Sequence, residues 1–362
     1  MPSSRRAALS IALAIAASTT SPARAQQQSQ GFAVERFYPA APGSGWMVMD
    51  DLAMHGGLGG ALAVAGGYAH DSLRVTDGYN HLSVVSDQAL VDIGAGVTYD
   101  RFRLYANFDS PLQGQGQSGT VGAYQFTAPS VTLGSNPDSL SDVRVGFDAR
   151  LYGDSSGPFR LGAGAQLYAP SGSRADYSSD GTYRAMGRVL FAGTLGMFGY
   201  AGQLGVHVRP LDDSPAPGSP QGSELLFGVA GGPRFAVDHA GKAVVVVGPE
   251  IYGESAFKSL FGSTSTGVEA LLTGRIEGTG EDGPQIQAKL GVGGGLDPRF
   301  GAPEWRCVFA ISVFDHSVDS DKDGVTDSKD ACPGESGAKT SDPKTNGCPP
   351  GADAVAPTPP SP

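Results

Sequence analysis

The sequence predicts an all-β chain: a transmembrane antiparallel β-barrel of about twelve strands, with fourteen as the alternative count, followed by a short loop-rich tail. Three observations carry this reading. Between Gly57 and Phe314 apolar and polar residues alternate with period two, which places one set of side chains on each face of a strand. Short and long connections take turns along the chain, the pattern of tight turns on one side of a bilayer and larger loops on the other. Glycine supplies 54 of 362 residues and charged residues only 17%, against about 7% and 25% in ordinary soluble domains, so glycine-dense strands are expected rather than a soluble enzyme.

The elements follow in order. Arg5 and Arg6 precede an apolar run, 7–17, and Ala23-Arg24-Ala25 closes it with the small-x-small pattern that a signal peptidase reads. Residues 1–25 are therefore expected to be an export signal, with the mature chain beginning at Gln26. The run is too short to cross a bilayer, and no later stretch offers about 18 uninterrupted apolar residues, so no membrane helix is expected. Residues 26–56 form an N-terminal segment, expected to lie in the periplasm, to plug the barrel or to add a strand through Trp46-Met47-Val48-Met49.

The barrel is expected over 57–314, with strands at 57–73, 83–99, 101–109, 142–152, 159–169, 183–197, 201–209, 224–237, 242–253, 267–277, 285–296 and 304–314. Tight turns are expected at Tyr99-Asp100-Arg101, Phe198-Gly199-Tyr200 and Asp238-His239-Ala240-Gly241. Long polar loops are expected at 110–139, 170–182, 210–222 and 254–265. An even strand count returns both barrel ends to the periplasm. Hydrocarbon offers no water to unpaired backbone groups, so a sheet in lipid must close on itself. Apolar positions then face outer-membrane lipid, and Tyr105, Tyr152, Tyr168, Trp305 and Phe314 are assigned to the interfacial girdles.

The opposite faces of the strands place Arg101, Arg103, Arg144, Arg150, Arg188 and Arg209, with Glu269 and Arg275, on the lumen. A ring of arginines raises the local positive potential, so small-solute passage with some anion preference is one reading. Internal salt bridging in a plugged or barely conducting barrel is the other, and it is weighted above the open pore because open water channels belong to barrels of about 16–18 strands. The net charge of −11, with no basic stripe, excludes a nucleic-acid partner.

The tail, 315–349, holds Asp319-Ser320-Asp321-Lys322-Asp323-Gly324-Val325-Thr326-Asp327-Ser328-Lys329-Asp330. Acids at loop positions 1, 3, 5, 9 and 12 with glycine at 6 form the spacing that wraps oxygens around Ca²⁺. Asp319, Asp321 and Asp323 would supply side-chain oxygens, Val325 a backbone carbonyl, Asp330 the closing carboxylate, and Asp327 a contact through water or a second ion. With Asp at position 12 and no flanking helices, affinity is expected on the order of 10⁻⁴ to 10⁻³ M. Only Cys307, Cys332 and Cys348 are present, so one disulfide and one thiol are expected. A bridge between Cys332 and Cys348 would stabilise the tail by about 3 kcal/mol through loop closure, while Cys307 falls on the lipid face. The proline-rich end, 350–362, reads as disordered.

The form D-x-D-x-D-G-x-x-D-x-x-D-x-C over Asp319 to Cys332 resembles a thrombospondin type 3 repeat. With Glu35-Arg36-Phe37, the strand-and-loop plan and the ending Asp342-Pro343-Lys344-Thr345-Asn346-Gly347-Cys348-Pro349, most of the mature chain resembles the OmpA-like outer-membrane proteins of myxobacteria and related bacteria. The resemblance implies calcium ligation by the aspartates above and a barrel in the outer membrane with a periplasmic tail. In that family a peptidoglycan-binding domain usually follows, whereas here only a proline-rich stub does, so direct peptidoglycan binding is not expected. The function expected is that of a structural or porin-like outer-membrane barrel with a calcium-binding periplasmic repeat. Surface adhesion or partner binding through the long loops is the alternative. An outer-membrane acyl hydrolase is a remote one, since no G-x-S-x-G elbow is present and no catalytic residue is assigned. Oligomeric state is not legible in the sequence.

Overall fold

A computed structural model describes residues 27–54, 57–132, 140–211, 221–237, 243–278, 284–297, 301–316, 321 and 323–351. The expected export signal at 1–25, Asp319 and nearly all of the proline-rich end lie outside the described residues. Twelve antiparallel strands close into a barrel. They are β1 (Leu58–Thr76), β2 (His81–Tyr99), β3 (Phe102–Gln115), β4 (Val143–Tyr152), β5 (Arg160–Ala169), β6 (Arg184–Leu195), β7 (Phe198–Val208), β8 (Glu224–Ala236), β9 (Ala243–Ala256), β10 (Thr266–Gly278), β11 (Gln285–Asp297) and β12 (Trp305–His316). Each pairs with its chain neighbour, and β12 returns to β1 from Trp305↔His70 to His316↔Gly59, which removes the free edge.

The period-two pattern explains both faces. Leu62, Ile93, Leu104, Phe147, Leu167, Leu204, Leu272, Leu290 and Ile311 project outward and are exposed, a distribution that water penalises and lipid does not. The intervening positions point inward and are buried, although many carry charge.

The two rims differ. One holds the tight turns: Asp100–Arg101, where Asp100 takes φ 52°, and Gly196–Met197, where Gly196 takes φ 58°, the left-handed conformation that glycine adopts without steric cost. The second turn lies earlier than the predicted Phe198-Gly199-Tyr200, whose residues instead open β7 and pair with β6. The other rim carries the long connections. There, β3 runs to Gln115 within the predicted 110–139 loop, and that loop contains three short strands, Gly119–Val121, Tyr124–Phe126 and Val131–Thr132. The β1 and β2 strands have 19 residues each, about 60 Å at about 3.3 Å per residue, so their hairpin extends well beyond a 30 Å hydrocarbon layer.

The N-terminal segment runs inside the barrel. Gln27–Gln28 pairs in parallel with Tyr124–Gln125 at the long-loop rim. From Ser29 to Met54 the chain forms no strand and is almost entirely buried. It then reaches Leu58, the start of β1, at the tight-turn rim, so this luminal segment threads the barrel from one mouth to the other. Phe32 and Val34 pack with Leu73, Val84, Val85 and Phe126 near the long-loop rim. Phe37 and Trp46 to Met49 pack with Ala65, Ala192, Ala201, Val246, Leu271 and Val308, and Leu52 and Met54 pack with Leu190.

Candidate functional site

Small wall residues make room for the luminal segment. A Cβ on Gly228 would stand 2.6 Å from the Met49 methyl, and one on Gly162 would stand 2.9 Å from a Leu52 methyl. The glycine content thus serves close packing in the lumen as well as turns.

Glu250, on β9 and fully buried, accepts the N–H groups of Met47 (2.7 Å), Val48 (2.9 Å) and Met49 (3.1 Å). Three consecutive peptide donors on one carboxylate satisfy backbone groups that no strand partner serves. Lys289 on β11 donates to the carbonyls of Ser44 and Trp46, the latter at 2.9 Å, and Arg150 reaches the Leu52 carbonyl at 3.4 Å.

Ion pairs continue the attachment along the lumen. Arg103 bridges Asp50 of the segment and Asp148 of β4 (2.9 Å). Arg306 meets Glu35 through both guanidinium nitrogens (2.7 and 3.1 Å) and Glu269 at 2.9 Å. Arg36 crosses to Glu224 (3.1 Å) and Glu254 (3.2 Å), the latter also 3.0 Å from His207. At the long-loop rim, Asp180 accepts from Ala33 N–H (2.8 Å) and from Arg209 (2.6 and 2.7 Å). Burial alone would raise the Asp180 carboxyl. The Arg209 and Arg184 guanidiniums and the Ala33 N–H together hold it well below the usual carboxylate range. Buried pairs of this kind add little net stability over apolar packing, but losing one partner is costly, so they fix where the segment lies.

Of the residues assigned to the lumen from sequence, Arg103, Arg144, Arg150, Arg188, Arg209, Glu269 and Arg275 are buried inside the barrel. Arg188 joins Asp148 and the Tyr105 hydroxyl, both at 3.0 Å, while Arg144 lies 5.9 Å from the Tyr105 ring centre and Arg275 5.2 Å from that of Trp46. Arg101 is a correction. It occupies the Asp100–Arg101 turn, before β3 begins, and is exposed. Tyr105 and Tyr168, assigned to the lipid girdles, are corrected too: each is 2% exposed and faces inward. Strand parity explains this, because Tyr105 shares a face with Arg103, and Tyr168 with Gln166, to which its hydroxyl donates at 2.7 Å. Sequence reasoning missed Glu35, Arg36 and Asp50 as luminal partners and passed over Arg306. Only Arg306 carried a signal, as a charge inside an apolar alternation.

The tail forms a second cluster. Asp321, Asp323 and Asp330 each bring one carboxylate oxygen within 4.8 Å of the others. Gly324, at φ 89°, makes the expected sharp turn. Asp323 accepts from Val325 N–H (2.7 Å) and Gly337 N–H (2.9 Å), which ties the loop to the segment closed by the Cys332–Cys348 disulfide. Oδ2 of Asp330 is buried with no hydrogen-bond donor among the described residues. Gly347, at φ 78°, lies so close that a Cβ there would meet Asp330 Oδ1 at 2.1 Å. Converging oxygens with one unserved acceptor fit a hard cation. Asp327 opens a 3-10 turn, Asp327–Lys329, and is not one of the three converging carboxylates; the Val325 side chain is buried. Cys307 is the remaining thiol, exposed on the outer face.

A closed sheet with an apolar exterior and a polar interior has one fitting solvent, hydrocarbon. The architecture is that of an outer-membrane β-barrel. Comparison with protein-family profiles and with curated proteins gave no match. Among solved structures, the chain is similar to an outer-membrane channel from Pseudomonas putida F1 (TM-score 0.46, 15% identity, 72% of this chain and 96% of the channel). It is also similar to the NanC porin (TM-score 0.41, 8% identity, 70% and 98%) and to the β-domain of the Bordetella autotransporter BrkA (TM-score 0.37, 13% identity, 70% and 98%). These likenesses concern barrel architecture alone.

Proposed function

We propose that this protein is a porin-like barrel of the bacterial outer membrane whose lumen is held shut by its own N-terminal segment, with a calcium-binding tail on the periplasmic side. One observation carries the closed state: luminal charges that would line an open pore are sealed from solvent, with Arg144, Arg209, Arg306 and Glu250 no more than 2% exposed. The long-loop rim faces the cell exterior and the tight-turn rim the periplasm, the usual arrangement of such barrels. That orientation places Gln27 at the cell surface and the tail after His316 on the opposite side.

Ca²⁺ is assigned to Asp321, Asp323 and Asp330, with Asp319, Asp327 and the Val325 carbonyl as the remaining ligands that the spacing suggests. Five carboxylates within twelve residues repel one another until a cation compensates them.

Fractionation tests the location. The protein should collect with outer membranes and show heat-modifiable gel mobility; a chain that stays monodisperse in water without detergent contradicts the proposal. For the tail, Ca²⁺ should protect residues beyond Phe314 from trypsin, and identical digestion in Ca²⁺ and in EDTA would remove the calcium assignment.

A further inference from the structure

We propose that the luminal segment is a tethered mimic of an anionic solute, and that the barrel, once this segment is displaced, passes small carboxylate-bearing anions along the wall arginines it now covers. The inference rests on the closed-pore reading above and goes further by naming the solute class.

Three carboxylates of the segment are matched to wall cations. Glu35 is gripped by Arg306 through two parallel N–H···O contacts, the fork geometry that arginine offers any carboxylate. Asp50 accepts from Arg103. Asp51 lies within electrostatic reach of Arg275 and Arg160. These cations are spaced along the axis: Arg306 is the second residue of β12 at the long-loop rim, while Arg103, Arg160 and Arg275 sit near the tight-turn ends of β3, β5 and β10. An anion leaving one rim therefore has a further guanidinium site ahead of it at the other.

The segment also carries a cation, Arg36, held between Glu224 and Glu254, and its backbone donors occupy Glu250, so its removal uncovers acceptors as well. The balance is decided by charge. Residues 27–54 contain Glu35, Asp50 and Asp51 against Arg36 alone, three negative charges and one positive, so the lumen without them is two units more positive. In a low-dielectric, narrow passage that difference shifts the preference toward anions, and the buried charges outside the segment, nine arginines against eight carboxylates among the described residues, leave the wall cationic. Lys289, now bound to the Ser44 and Trp46 carbonyls, would add to it.

The test uses the full-length protein in a planar bilayer, with urea to loosen the segment while the barrel persists. Under a KCl gradient the reversal potential should show anion preference. Succinate added to one side should interrupt the chloride current. Full-length Arg103→Gln/Arg306→Gln should lose most of the preference, by several-fold in permeability ratio. Cation preference, or selectivity unchanged in that variant, overturns the proposal while leaving the closed-pore reading in place. No current under urea counts against the closed-pore reading itself. A second measurement needs no opening: in folded Glu35→Gln/Asp50→Asn/Asp51→Asn, succinate should raise the melting temperature by several degrees more than NaCl of equal ionic strength, and more than it does in the native protein. Equal shifts overturn the proposal.

Discussion

Glu250 shows how a single side chain sets the course of a segment that has no secondary structure of its own. Replacing it with alanine strands three buried N–H groups and removes one of the carboxylates that compensate Lys289, a loss on the order of 3–5 kcal/mol. The expected result for Glu250→Ala is a lower melting temperature in detergent together with protease access to residues 44–54. Asp180 holds the other end. Its carboxyl is depressed in the folded state, so its stabilising contribution is complete above about pH 4 and is lost as the pH falls through the depressed value. Hydrogen exchange at the Ala33 amide should therefore stay slow from neutral pH down to about pH 4, relative to intrinsic rates, and lose protection only in stronger acid. Asp180→Asn should remove that pH dependence.

Among the elements, the strands were the most legible. All twelve lie close to their expected positions because the alternation that lipid and lumen impose is local and repeats along every strand. Errors gathered where one residue of parity or one turn decides the face: Arg101 was carried into β3 and the second tight turn was placed too late. Tyr105 and Tyr168 were read by residue type instead of by the face they share with Arg103 and Gln166. The wall also depends on glycine in a way that sequence does not reveal. A Cβ on Gly146 would lie 2.2 Å from the Tyr105 ring, so Gly146→Ala should push the ring from its bonds with Gln166 and Arg188, at a cost of about 1–3 kcal/mol seen in the melting temperature. The luminal path of 29–54 was not legible at all beyond being one of three options. Its attachment runs through contacts such as Glu35 to Arg306 and Met47 to Glu250, which are separated by 271 and 203 residues and leave no local pattern. The tail is the opposite case, since its acidic spacing lies within twelve residues, although the sequence did not show that Gly337 and Gly347 would close over the aspartates.

For the whole molecule, closure of the sheet and filling of the lumen are one problem. Twelve strands enclose a space too wide for wall side chains alone and too narrow to guarantee a water column. The N-terminal segment fills it, bringing apolar volume from Trp46 to Met49 and carboxylates opposite wall arginines. The most direct test is the current through native full-length protein in a planar bilayer. No steady conductance in buffer, with reversible openings once urea loosens residues 29–54, is the expected result. A steady ion current through the untreated native protein would contradict a lumen closed by its own chain.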